Sequence, residues 1–223
     1  YDRGGCQRPW PWQQATCSAR EEHILNATVR IAFHGAIEVE DGYEIQTIWG
    51  TISHATVIDG RHLLTHNHFG IPLSQIQIYN RYAQRGFTGV SVYRLDGSQV
   101  IDHASLDSFT VVSQQGETVM LDFGTVEGEG LFKSAGIASA AAAEANSFRL
   151  APGIEVAVID WDGKGHTKVV WAEVESLYEE KGVSLMRVNH YVQVGASGGG
   201  VFLDDQHIGN NWARVTVDDL FNS

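Results

Sequence analysis

A serine among glycines is the residue of this sequence best suited to nucleophilic chemistry. Ser197 lies in Gly195-Ala196-Ser197-Gly198-Gly199-Gly200, directly before the apolar residues 201–203. Glycine adopts positive φ and lets the backbone approach a ligand closely. Neighbouring N–H groups can then converge on the oxyanion of an acyl-transfer intermediate. Ser197 is therefore a candidate nucleophile, and a flexible glycine-serine loop is the structural alternative for this segment.

A second segment supplies imidazoles. Leu63-Leu64-Thr65-His66-Asn67-His68 follows the turn Asp59-Gly60, so the sequence predicts an apolar strand that ends in histidine. His66 and His68 alternate and could both bind a metal ion, but the sequence marks neither a third ligand nor a carboxylate for it. We therefore predict no metal site and no cofactor.

Composition excludes several classes of protein. The 223 residues hold 15 Lys and Arg against 27 Asp and Glu, which gives a formal net charge of −12. A nucleic-acid-binding protein needs a basic surface to meet phosphates, so no nucleic-acid partner is expected. No apolar run approaches the roughly 18 residues of a membrane span, so no membrane partner is expected either.

The two cysteines bear on the compartment. Cys6 and Cys17 both lie in the first 20 residues, and we expect them to form one disulfide bond. A disulfide indicates an oxidising compartment, so the protein is expected to be secreted or periplasmic. Two reduced thiols in a cytoplasmic protein are the alternative. The chain opens on the polar Tyr1-Asp2-Arg3, so a secreted protein would be numbered from after its leader.

The sequence around these two segments predicts an all-β protein. Short apolar or alternating runs are separated by turns such as Asp96-Gly97 and Asp162-Gly163. The predicted strands span 24–33, 45–58, 63–69, 76–79, 90–95, 100–104, 109–112, 118–123, 154–159, 169–177, 184–188, 200–203 and 207–212. We predict two antiparallel β-barrels of the six-stranded type, with one large β-sandwich as the alternative. The predicted parts are an arm (1–24), a first barrel (25–133), an alanine-rich linker or short helix (134–150) and a second barrel (151–223).

Together the two segments resemble the trypsin-like, chymotrypsin-fold serine peptidases. That family has an apolar-Thr-x-x-His segment and, later, Gly-x-Ser-Gly-Gly. Thr65 to His68 and Gly195 to Gly199 match these motifs in the same order, with 129 residues between His68 and Ser197. The continuation 204–211 is similar to bacterial relatives of the high-temperature-requirement type. The resemblance implies hydrolysis of a peptide or protein substrate without a metal or cofactor.

The resemblance also implies roles for individual residues. His68 would be the general base, and the N–H groups of Gly195 and Ser197 would form the oxyanion hole. The family carries an Asp before an apolar strand between the His and the Ser. The best match is 117–121, which puts Glu117 in that position. Asp122 and Asp107 stay open as alternative acids.

The specificity pocket follows from the same register. Tyr191 would lie at its base, with Val192, Asn211 and Ala213 also contacting substrate, and an uncharged tyrosine there predicts a preference for small or apolar side chains. Ala196 stands where pancreatic relatives have an Asp that captures a newly cut N-terminus, so that switch is expected to be absent. The open choice of acid and the short C-terminal segment leave one alternative function, a non-catalytic binding or structural module on the same fold.

Overall fold

The computed structural model describes residues 17–39, 42–68, 73, 87–124, 132, 149–204 and 206–211. The predicted strand at 76–79, the alanine-rich segment 134–148 and residues 1–16 of the arm lie outside the described residues. Among those described, no helix is long and apolar enough to cross a membrane. Cys17 takes part in a disulfide bond, whereas Cys6 lies outside the described residues, so the Cys6–Cys17 pairing stays a prediction.

A short helix opens the described chain where the sequence predicts the end of an arm and the start of a strand. Helix α1 spans Ala19–Asn26. Ser18 Oγ accepts from the backbone N–H of Glu21, while the Glu21 carboxylate accepts from Ser18 N–H, which is a reciprocal capping box. Ile24 and Leu25 are buried, so the helix is held by its apolar face. The prediction of strand from residue 24 was therefore wrong by four residues.

Twelve strands follow among the described residues, and the predicted all-β class is confirmed. The first seven are β1 (Thr28–Val39), β2 (Gly42–Val57), β3 (His62–His66), β4 (Phe87–Arg94), β5 (Gln99–Ala104), β6 (Thr110–Gln115) and β7 (Thr118–Asp122). A 3-10 helix, Leu106–Ser108, lies between β5 and β6. The last five are β8 (Glu155–Trp161), β9 (Thr167–Glu180), β10 (Val183–Val188), β11 (Gly200–Leu203) and β12 (Gln206–Asn210).

The strands form two antiparallel sheets. The first has the order β5-β4-β1-β2-β3-β7-β6, and the second has the order β10-β9-β8-β11-β12. Predicted turns join neighbouring strands, as at Gly97, whose φ of +85° suits glycine. Three predicted strands have different bounds in the structure, namely 24–33, 63–69 and 207–212. Caps and bends, unlike strand interiors, carry no apolar alternation, so the sequence does not mark where these strands begin or end.

Each sheet encloses an apolar core. The first core contains Val29, Ile31, Phe33, Ala55, Val57, Leu63, Leu73, Val90, Val92, Ile101, Leu106, Phe109, Val119, Leu121, Phe123 and Phe132. The second contains Val156, Val158, Ala172, Val174, Val192, Ala196, Val201 and Leu203. Burial of such side chains stabilises the fold by roughly 1.5–3 kcal/mol each. Strands β2 and β3 lie against the turn before β11, where His54 N–H donates to the Ser197 carbonyl and Gly198 lies beside Thr65.

Candidate active site

The histidine segment lies at the end of strand β3, between β2 and β7 of the first sheet. His66 is buried, and its Nε2 lies 2.8 Å from Ser53 Oγ. Burial lowers the pKa of His66 to about 4. His68 follows after the strand has ended and is exposed. The two imidazoles thus have different environments, and the one predicted as general base is the accessible one.

The β6–β7 hairpin brings Glu117 next to this segment. The Glu117 carbonyl accepts a hydrogen bond from Asn67 N–H at 2.7 Å, and His66 pairs with Thr118 in the antiparallel register. The candidate acid therefore lies across the sheet from the residue that precedes His68. Its side chain is partly buried.

The two alternative acids lie at the other end of β7. Asp122 pairs with His62, four residue pairs or about 14 Å from the His66 end of the strand. Its carboxylate accepts two 2.8 Å hydrogen bonds from Arg61, which lower its pKa to about 2. Asp107 lies in the 3-10 helix just before Thr110, which also pairs with Asp122. Glu117 is thus the one candidate of the three that borders the histidine segment.

The glycine turn holds Ser197 against the first sheet. His54 N–H on β2 donates to the Ser197 carbonyl at 2.9 Å. Gly198 has a φ of +83°, and a Cβ on it would lie 2.2 Å from the His54 carbonyl oxygen and 2.4 Å from Thr65 Oγ1. Only glycine permits this contact. The turn therefore packs on Thr65, three residues before His68.

Two backbone donors of the turn have no partner among the described residues. Ala196 N–H donates to the Gln193 carbonyl, Gly198 N–H to the Asn211 carbonyl and Gly199 N–H to the Ala196 carbonyl. Gly195 N–H and Ser197 N–H meet no acceptor within the part of the chain that the structure describes. Unengaged N–H groups two residues apart in a glycine turn can bind an oxygen with developing negative charge.

The structure brings the three motifs to one place, since the turn of Ser197 contacts Thr65 and Glu117 borders Asn67. Between the side chains of Ser197, His68 and Glu117, all three of them described, there is no hydrogen bond. The Ser197 side chain is partly buried and the His68 ring is exposed. The site is thus an assembly of neighbouring segments around an accessible imidazole and a serine.

Two solved structures share this fold at low sequence identity. An HtrA-type protease, an AlgW variant solved with a decapeptide, matches with a TM-score of 0.58 and 12% identity over 89% of this chain. Deg5 matches with a TM-score of 0.55 and 15% identity over 90% of this chain and 88% of its own. This chain has the chymotrypsin-like double-barrel fold. It spans 58% of the length of the HtrA-type structure. Neither a protein-family profile nor a curated protein matches the sequence.

Within the double barrel, the predicted pocket residues lie in different environments. Tyr191 is 62% exposed, and its place at the base of a substrate pocket stays a prediction. Val192, next in the chain, is buried in the second core. Asn211 supports the turn, with its Nδ2 donating to the Ile159 carbonyl and its N–H to the Gly199 carbonyl. Ala213 lies outside the described residues.

Two polar groups that sequence reasoning missed also hold the turn of the second barrel. Asp160 on β8 is buried and accepts from His190 Nε2 at 2.7 Å and from Gln193 N–H at 2.9 Å. Burial alone would raise its pKa, but these hydrogen bonds and one from Trp161 N–H lower it below the usual range. The carboxylate thereby fixes the chain just before residues 195–197.

His54 is the second missed group. Its ring is buried between the barrels, with Nδ1 2.7 Å from the Gly195 carbonyl oxygen and Nε2 2.7 Å from Thr167 Oγ1. The signal that could have found both residues is the same: a titratable side chain inside an apolar strand, which must be hydrogen-bonded if it is buried.

Proposed function

We propose that this protein is a serine endopeptidase that cleaves peptide bonds through an acyl-enzyme. One observation carries the proposal: the glycine turn of Ser197 packs on the Thr65–His68 segment and leaves Gly195 N–H and Ser197 N–H without acceptors among the described residues. Those are the parts that acyl transfer needs, namely a nucleophile, a base and oxyanion donors. The HtrA-type neighbour solved with a decapeptide supports a peptide as the substrate class.

The chemistry proceeds in two halves. Ser197 Oγ attacks the carbonyl carbon of the substrate while His68 takes the hydroxyl proton. The carbonyl oxygen becomes an oxyanion, which Gly195 N–H and Ser197 N–H stabilise. The C–N bond then breaks as His68 donates its proton to the leaving amine. Water attacks the acyl-enzyme with His68 again as base, which releases the acid product and restores Ser197.

Glu117 orients the imidazole in this mechanism. A carboxylate that accepts from His68 holds the tautomer whose other nitrogen can take the Ser197 proton. Glutamate is one methylene longer than the aspartate of the related enzymes, and its backbone carbonyl accepts from Asn67 N–H, next to His68 in the chain. Catalytic hydrogen bonds are often long in a free enzyme and shorten when substrate binds.

Hydrolysis of a fluorescently labelled, unfolded casein tests the proposal. The wild type should release peptides, and Ser197→Ala should lose at least about 10³-fold in rate, since loss of a triad member removes most of the catalysis. Ser113→Ala, at an exposed serine of β6, is the matched control and should keep the wild-type rate. A wild type that binds casein without cleaving it would favour the non-catalytic module instead.

A further inference from the structure

His54 is a fully buried polar residue for which the mechanism above has no role. The Gly195 carbonyl can only accept a hydrogen bond, so Nδ1 of His54 carries the proton and donates to it. In the neutral ring Nε2 is then an acceptor, and Thr167 Oγ1 donates to it. Burial lowers the pKa of His54 to about 4, which keeps the ring neutral near pH 7.

The main chain of the same residue also binds the turn. His54 N–H donates to the Ser197 carbonyl at 2.9 Å, and the His54 carbonyl accepts from Thr65 Oγ1 at 2.9 Å. His54 thus donates to the carbonyl oxygens of both residues whose N–H groups form the proposed oxyanion hole. It also joins them to the strand that leads to His68.

We infer that His54 is a positioning residue that fixes the oxyanion-binding turn, an inference that rests on the proposed function. His54 holds the peptide groups on both sides of the one that carries Ser197 N–H. Its Nδ1 donates to the carbonyl of the 195–196 peptide, and its backbone N–H donates to the carbonyl of the 197–198 peptide. The 195–196 peptide joins the two proposed donors, and without the Nδ1 bond it keeps only the bond of Ala196 N–H to Gln193 among the described residues. Donors that are not preorganised stabilise an oxyanion poorly.

Two further contacts keep the imidazole in place. The ring packs edge-on against Trp161 at a centroid distance of 5.1 Å. Thr167 lies opposite Trp161 in the β8–β9 pairing, so one strand pair supplies both contacts. His54, which donates to Gly195, belongs to the first barrel, whereas Trp161 and Thr167, which hold its ring, belong to the second. The position of the turn therefore depends on how the two barrels pack.

The test compares kcat and KM for a peptide substrate among variants that keep or remove the donor. His54→Phe fills the space without a donor, and His54→Leu is its substitute if it does not fold. His54→Asn keeps an N–H near the position of Nδ1. His207→Phe replaces another buried histidine, which is hydrogen-bonded to Asn210 and away from the turn, and controls for lost stability.

We expect His54→Phe to lower kcat by about 10²-fold with KM within about threefold, which is the scale of losing one oxyanion donor. His54→Asn should recover at least tenfold of that loss, and His207→Phe should keep kcat within about threefold. If neither variant without the donor folds, His54→Asn must stay within about tenfold of the wild-type kcat. An active wild type with an unchanged kcat in His54→Phe, or no recovery in His54→Asn, overturns the inference alone. An inactive wild type overturns the proposed function and the inference with it.

Discussion

At the scale of single residues, the histidines separate into buried and accessible groups. His54, His66 and His207 are buried, and burial lowers the pKa of each to about 4. All three are therefore neutral above about pH 5. A pH–rate dependence between pH 6 and 8 must come from another group. His68, exposed beyond the end of β3, is the histidine that the mechanism requires to change protonation.

The first prediction separates His68 from His66. The kcat/KM of the wild type should rise with pH as the general base loses its proton. His68→Ala should lose at least about 10³-fold in kcat. His66→Gln should keep both rate and profile, because glutamine can still bond to Ser53 Oγ. Initial rates from pH 5 to 9 check this, and an active His68→Ala with an inactive His66→Gln would contradict it.

The second prediction concerns the acid. Glu117→Gln should lower kcat by up to about 10⁴-fold, because the amide no longer fixes the useful tautomer of the imidazole. Asp122→Asn is the matched control and should retain activity, since its partners are Arg61 and His62. The kcat values of Glu117→Gln and Asp122→Asn, measured at one pH, test this prediction. Loss of activity in Asp122→Asn with none in Glu117→Gln would show that another carboxylate orients His68.

Among the secondary-structure elements, strands β3 and β7 have different surroundings at the two ends of their pairing. Its first pairs place Thr118 beside His66, and its last place Asp122 beside His62. The hydrogen bonds of Asp122 with Arg61 and Gly124 N–H clamp the end of β7. The same strand thus borders the candidate site at one end and is held by an ion pair at the other.

The third prediction tests that clamp by its pH dependence. The pKa of Asp122 is lowered from about 4 to about 2, chiefly by Arg61. A carboxylate with a lowered folded-state pKa stabilises the fold above its unfolded pKa and loses that contribution as the pH falls through the folded one. Asp122→Asn should lower Tm at pH 6 by a small amount, because Arg61 is exposed and solvent screens its ion pair with Asp122. The difference should vanish near pH 2, and a difference that grows at low pH would contradict the assignment.

The turn of Ser197 is another element whose conformation depends on distant strands. Asp160 on β8 holds Gln193, and His54 on β2 holds Gly195 and Ser197. Ala196 between them is buried in the second core. Internal hydrogen bonds thus fix the turn on both sides of Ala196.

For the molecule as a whole, local patterns predicted which segments form strands better than they predicted where each strand begins and ends. Alternation and Asp-Gly turns placed β4, β7, β10 and β11 within about three residues, since these signals lie in adjacent residues. Helix α1 was missed although Ser18 and Glu21 have capping-box spacing. Three polar or charged residues in its first turn obscured the short apolar face formed by Ile24 and Leu25.

The candidate site was predictable where a motif is contiguous and not where contacts are distant. Ser197 and His68 stand in compact motifs. His54 contacts Gly195 across 141 residues, and no local pattern marks that pairing. The turn before Ser197 likewise depends on the buried Asp160, which accepts from Gln193 N–H across 33 residues. No contiguous motif marks a buried polar residue of a strand together with its distant partner.

The proposed mechanism depends above all on the nucleophilic character of Ser197, which covalent labelling measures directly. The folded protein is treated with a fluorophosphonate probe, and the adduct is located by peptide mapping with mass spectrometry. Such probes react with a serine that a base activates and an oxyanion site serves. We expect a single adduct on Ser197, lost on denaturation and in His68→Ala. An unlabelled protein, or an adduct on another residue that persists in Ser197→Ala, would contradict it.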